Sequence, residues 1–169
     1  MKKALCLVIT VVLISAGLFA CNKAESKNSF LPAQTFSLHM QAQKNQKAFE
    51  ADINCLSANE ITLSFTSPKE LSGFTVTTSE NGFSVNVFGL PDEISSEELN
   101  KSALINILTK AIKISVFMNH GLFKEDDGKF SADITIDNIP VSVIFTNDGF
   151  LSEITCESIG FFALFQKSG

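Results

Sequence analysis

From Phe36 onward, apolar residues return at every second position through one segment after another, and this alternation restricts the chain to an antiparallel sheet with one apolar and one wet face. Phe36, Leu38, Met40 and Ala42 alternate with Ser37, His39 and Gln41, and after Lys44-Asn45-Gln46-Lys47 the pattern resumes at Phe49, Ala51, Ile53 and Cys55. Ile61, Leu63 and Phe65 predict a third strand, Phe74 and Val76 a fourth, and Phe83, Val85 and Val87 a fifth, after a turn at Glu80-Asn81-Gly82. A second group follows. Phe130, Ala132, Ile134 and Ile136 alternate with Ser131, Asp133, Thr135 and Asp137; Val141, Val143 and Phe145 continue after Asn138-Ile139-Pro140; Asn147-Asp148-Gly149 is a hairpin turn before Ile154 and Cys156. The apolar run Ile159 to Phe165 predicts a last strand, bent or bulged at Gly160.

Between the two strand groups lies a segment of different period. Ser95-Ser96-Glu97-Glu98 has the spacing of a capping box, with Ile94 and Leu99 as a hydrophobic staple, so a helix is expected from Ser95 to Met118. Leu104, Ile107, Leu108, Ala111 and Ile112 form its apolar stripe, and Asn106, Thr109, Lys110 and Lys113 its narrow polar face. Ile105, Ile114, Val116, Phe117 and Met118 widen the apolar arc beyond one flat contact, so a sheet that curls around the helix suits it better. Asn119-His120-Gly121 is the expected stop.

The N-terminus carries an address. Met1-Lys2-Lys3 precedes an apolar run from Ala4 to Ala20, and Leu18-Phe19-Ala20-Cys21 closes it. Leu18 does not suit ordinary signal peptidase, which takes a small residue at that place. The segment resembles a bacterial lipobox, which implies removal of residues 1–20 as a lipoprotein signal peptide and acylation of Cys21. Residues 21–34 then read as acylated Cys and flexible tether, polar and aperiodic, and 35–169 as a single domain. The expected location is the extracytoplasmic face of a bacterial membrane, held there by lipid. In a Gram-positive host that is the cell membrane.

Composition narrows the chemistry. Removing Lys2 and Lys3 with the signal takes the net charge from −5 to −7, and the chain has no Arg, so nucleic acid is not an expected partner. All 16 aromatic residues are Phe, which leaves no indole or phenol for a carbohydrate platform. His39 lies on the polar side of the first strand and His120 at a helix end, neither framed by a nucleophile motif; no catalytic residue, cofactor or metal ligand is assigned. Glu125-Asp126-Asp127-Gly128 lacks the alternating ligands of a calcium loop and reads as a polar turn. Asp133 and Asp137 are separated by roughly 13 Å along a strand, too far to share a metal by themselves. Cys55 and Cys156 remain for the folded part, either as a disulfide or as two buried thiols.

The Phe residues are the remaining signal. Phe49, Phe65, Phe74, Phe83, Phe130 and Phe145 share the apolar parity of their strands, and with Leu108 and Ile112 of the helix they are the candidate lining of an apolar site. Phe65-Thr66-Ser67-Pro68-Lys69-Glu70-Leu71-Ser72-Gly73-Phe74, followed by Phe88-Gly89-Leu90-Pro91 before the helix, resembles the corresponding segments of the LolA-like half-barrel group, lipoprotein carriers and their lipid-anchored relatives. That resemblance covers about Phe36 to Phe165 and implies an α+β fold: a curved antiparallel sheet of about 8–9 strands wrapped on one long helix, apolar on its concave face. A closed lipocalin-like barrel is the alternative. The expected function is a non-enzymatic, monomeric envelope lipoprotein that holds a lipid, acyl chain or other hydrophobic ligand. The rival is a structural or protein-interaction module with a filled core.

Overall fold

The computed structural model describes residues 30–79, 82–95, 103–118 and 123–168. Eleven strands form one antiparallel sheet: β1 (Phe36–Lys44), β2 (Lys47–Ser57), β3 (Glu60–Ser67), β4 (Phe74–Ser79), β5 (Gly82–Val87), β6 (Leu90–Ser95), β7 (Lys124–Asp126), β8 (Lys129–Ile136), β9 (Ile139–Phe145), β10 (Leu151–Cys156) and β11 (Phe161–Lys167). Their spatial order is β6-β5-β4-β3-β2-β1-β11-β10-β9-β8-β7. The order is linear, with β6 and β7 at its two edges, so the sheet is an open half-barrel and the closed-barrel alternative fails.

The central join explains how two meanders become one sheet. The last strand returns to pair with the first, from Leu38 opposite Lys167 to Lys44 opposite Phe161. Every other pairing is between sequence neighbours, joined mainly by tight turns. Asn45 and Gln46 both have positive φ, as do Asp127-Gly128 and Asp137-Asn138, so these two-residue turns match the twist of their strands.

Two strands escaped the sequence pattern. The expected 8–9 become eleven because β6 and β7 lack apolar alternation. Leu90-Pro91-Asp92-Glu93-Ile94-Ser95 includes a Pro, which an edge strand tolerates, and Lys124-Glu125-Asp126 is a short charged edge of the kind that discourages further pairing. Ser95 pairs with Gly82 and Ile94 with Phe83, so the helix does not start at Ser95 as its capping box predicts. Glu98, Leu99 and the stop at Asn119-His120-Gly121 lie outside the described residues, as do the lipobox and Cys21.

The described helix, α1, spans Ala103–Ile112 and continues as a π-helical segment, Lys113–Met118. Its Ile107, Leu108, Ala111, Ile112 and Val116 are buried in one cluster with the inward residues of the strands. The expected polar face is narrower still. Asn106 and Thr109 are buried, with the Thr109 hydroxyl donating to the Ile105 carbonyl at 2.8 Å, and Ser115 does the same to Ala111 at 2.6 Å. Back-bonding to the preceding turn lets hydroxyls occupy an apolar interface without an unmet donor. Lys110 reaches Asp137 in the β8–β9 turn at 2.7 Å, and Lys113 reaches Asn59 in the β2–β3 turn at 3.1 Å, so α1 is tied to both halves of the sheet.

Candidate functional site

The alternating strand direction gives the half-barrel two ends. The turns at 45–46, 88–89 and 137–138 and the loops 68–73 and 157–160 lie at one; the turns at 58–59, 127–128 and 146–150 lie at the other. A cavity of about 470 Å³ opens at the first end, lined by Lys44, Asn45, Lys47, Ala48, Phe49, Pro68, Leu71 and Leu104. We call this end the mouth.

An aromatic row lies behind the mouth. Phe49 stands 6.0 Å from Phe65 and 6.5 Å from Phe161, and Phe65 stands 5.6 Å from Phe74, all as ring-centroid separations. Phe49 and Phe161, with β1 between their strands, lie nearly parallel, and the other two pairs are tilted, within the range at which aromatic rings pack favourably. Leu71, Val87 and Phe88 are exposed around this end, Phe88 three-quarters so, and Lys44 and Lys47 add cationic heads. Phe88 also has φ of 51°, in the left-handed region that a bulky residue seldom occupies. The Asn45 amide donates to the Gly160 carbonyl at 3.0 Å, and a Cβ on Gly160 would lie 2.5 Å from the Asn45 side chain. Gly160 is thus not the expected bend within the last strand but the left-handed residue that closes the short 3₁₀ turn Glu157–Ile159 just before it, where that loop meets the β1–β2 turn.

At the other end the space is filled from within. Phe30 stacks on Phe130 with centroids 3.9 Å apart and also meets Phe123 at 4.9 Å and Phe145 at 5.7 Å. Pro32 is buried, and the Ala33 amide donates to the Gly149 carbonyl at 2.8 Å. Residues 30–33 therefore belong to the folded body rather than to the tether, whose sequence reading extends to 34. Phe130 and Phe145, candidate ligand residues by sequence, face their own chain instead of a cavity.

The remaining candidates divide the same way. Phe49 lines the mouth cavity, Phe65 and Phe74 stand in the row behind it, and Phe83 is buried on β5. Leu108 and Ile112 are fully buried core, and the helix residue that reaches the cavity is Leu104. Sequence reasoning also missed Lys44, Asn45, Lys47, Ala48, Pro68 and Leu71 as lining, because turns and loops carry no period that points inward.

No disulfide joins Cys55 and Cys156, which are both buried and unpaired. They sit three strands apart, roughly 14 Å across the sheet, and at opposite ends of it, far outside the roughly 7 Å Cα limit. Burial pushes the Cys55 thiol up to about 11, which keeps it protonated and unreactive at neutral pH. His39 lies on the outward face, 2.9 Å from Asp52 and 3.7 Å from Glu50, while both thiols point inward. The turn at Asp127-Gly128 joins β7 to β8, and Asp133 and Asp137 bind Lys124 and Lys110 respectively. A smaller groove of about 220 Å³ lies on the outward face among Asp133, Pro140, Ser142, Thr155 and Glu157. No group of three or more metal-ligating side chains occurs among the described residues, and no described helix is long and apolar enough to cross a membrane.

Comparison with solved structures finds an uncharacterized conserved protein from Thermus thermophilus, at 9% identity and a TM-score of 0.44, over 86% of this chain and 83% of that one. It also finds a LolA superfamily protein from Nitrosomonas europaea, at 10% identity and a TM-score of 0.40, over 85% of this chain and 88% of that one. No protein-family model and no curated protein matches the chain.

Proposed function

We propose that this chain is a membrane-anchored extracytoplasmic lipoprotein that binds one hydrophobic chain, without catalysis, in the mouth cavity between the sheet and the start of α1. The observation that carries the reading is the cavity of about 470 Å³ whose walls include Ala48, Phe49, Pro68, Leu71 and Leu104. Small-molecule sites commonly measure about 300 to 1,000 Å³ and are mostly apolar with a few polar groups at the rim. Here the apolar wall is inside, and Lys44 and Lys47 stand where a headgroup would sit. The buried length of α1 fills the rest of the concave face, so the space suits the end of a single acyl chain.

The anchor is the second half of the proposal. Acylation of Cys21 contributes about 0.8 kcal/mol per buried CH₂, and two or more chains hold a protein on a bilayer effectively permanently. Mass spectrometry of an organic extract of the protein purified from bacterial membranes tests the first half: a stoichiometric co-purifying lipid is expected, and its loss in Leu104→Trp. A lipid retained equally by that variant would count against the mouth. Fractionation of Cys21→Ala tests the anchor separately, with loss of the processed, membrane-bound form expected.

A further inference from the structure

The end of the half-barrel away from the mouth contains a ring box that the chain closes with its own N-terminal strap. Phe123 and Phe145 stand edge to face at 5.5 Å, independent of Phe30, and Phe130 completes the box from β8. Phe30 enters as a fourth ring, in contact with all three. It belongs to no strand, and the backbone hydrogen bond that fixes the strap is three residues away, from Ala33 to Gly149. Gly149 has φ of 82°, and a Cβ there would lie 3.0 Å from the Leu31 carbonyl oxygen, so the β9–β10 turn is shaped to receive the strap. Leu31 beside the plug is two-thirds exposed, so the inserted ring is flanked on that side by solvent.

We infer that Phe30 is a detachable plug, and that Phe123, Phe130 and Phe145 form a second apolar site for an uncharged group the size of a phenyl ring. The surroundings favour an uncharged occupant. The walls of the box are rings, Asp126, Asp127 and Lys129 at the neighbouring β7–β8 turn are exposed to solvent, and Asp148 is paired with Lys167 at 2.6 Å. Occupancy by a ligand expels Phe30, which loosens residues 30–32 ahead of the Ala33–Gly149 hydrogen bond. This site does not rest on the mouth cavity, which lies at the opposite end.

The test uses the chain isolated from membranes in nanodiscs, with a fluorophore on Leu31→Cys, an exposed position beside the plug, and toluene as the probe. Saturating toluene is expected to lower the fluorophore's anisotropy, and Phe30→Ala to give low anisotropy at the start and at least tenfold tighter toluene binding. Phe30→Leu, which keeps an apolar side chain in the box, should fall between them and guards against a misfolded Ala variant. The response should persist in Leu104→Trp. Unchanged anisotropy at saturation, an affinity in Phe30→Ala within twofold of the parent, or a response that vanishes in Leu104→Trp would each overturn the plug.

Discussion

The two ends of the half-barrel are built from the same residue type and reach opposite outcomes. At the mouth, Phe49, Phe65, Phe74 and Phe161 form a spaced row beside a cavity; at the strap end, Phe30, Phe123, Phe130 and Phe145 fill one another's space. The strand alternation is equally good in both places. Among the described residues, what differs is whether a segment from outside the sheet supplies the missing volume: the strap does so at one end, whereas the described part of α1 leaves space at the other. A row of inward Phe residues is thus evidence for an apolar interior, and the connecting segments decide whether that interior is a core or a site.

The sharpest way to break this comparison is to delete one ring from each end. Phe145→Ala, at a fully buried position of the filled cluster, should destabilise by about 3 to 5 kcal/mol in urea unfolding. Phe74→Ala, only half-buried near the mouth, should cost less than about 2 kcal/mol. Equal costs would mean that both ends are packed alike. A second test targets the strap: Gly149→Ala forces a side chain into a left-handed position against Leu31 and Ala33, with an expected loss of about 1 to 3 kcal/mol.

Smaller effects sharpen the picture. The Cys55 thiol is raised by burial from 9.0 to about 11, so the unfolded chain ionises first as pH climbs. Its contribution is fully present below about 9 and is lost as pH rises through about 11; Cys55→Ala should flatten that part of the stability profile. Hydrogen bonds from Lys167 and Thr146 hold the Asp148 carboxyl below its ordinary range, so its contribution is present at neutral pH and fades in acid. The smallest change is expected at the surface pair between α1 and the β8–β9 turn, where Asp137→Asn should lower stability by less than about 1 kcal/mol. Faster exchange of a bound fluorescent fatty acid in that variant would show that the contact steadies the helix over the cavity.

Period-two alternation placed eight of the eleven strands and a continuous apolar run the last one, because each of those strands has a side facing the core that only apolar residues satisfy. It could not place β6 and β7, the two edge strands, where a single neighbour leaves little to bury. Asn106 and Thr109 looked like a solvent face because residue type alone does not show a hydroxyl bonding back to its own helix or an amide reaching a turn thirty-one residues away. The site was legible in part. Phe49, Phe65 and Phe74 were marked by parity, but Phe130 and Phe145 carried the same mark, and only Phe30, hidden in what reads as tether, distinguishes them.

The most direct measurement is the affinity of the full chain for a fluorescent long-chain fatty acid, compared with Leu104→Trp at the cavity and Phe162→Ala on the outward face. Binding that weakens at least tenfold in Leu104→Trp and stays within twofold in Phe162→Ala is the predicted result. Equal binding by all three, or none by the parent chain, would contradict a ligand site at the mouth.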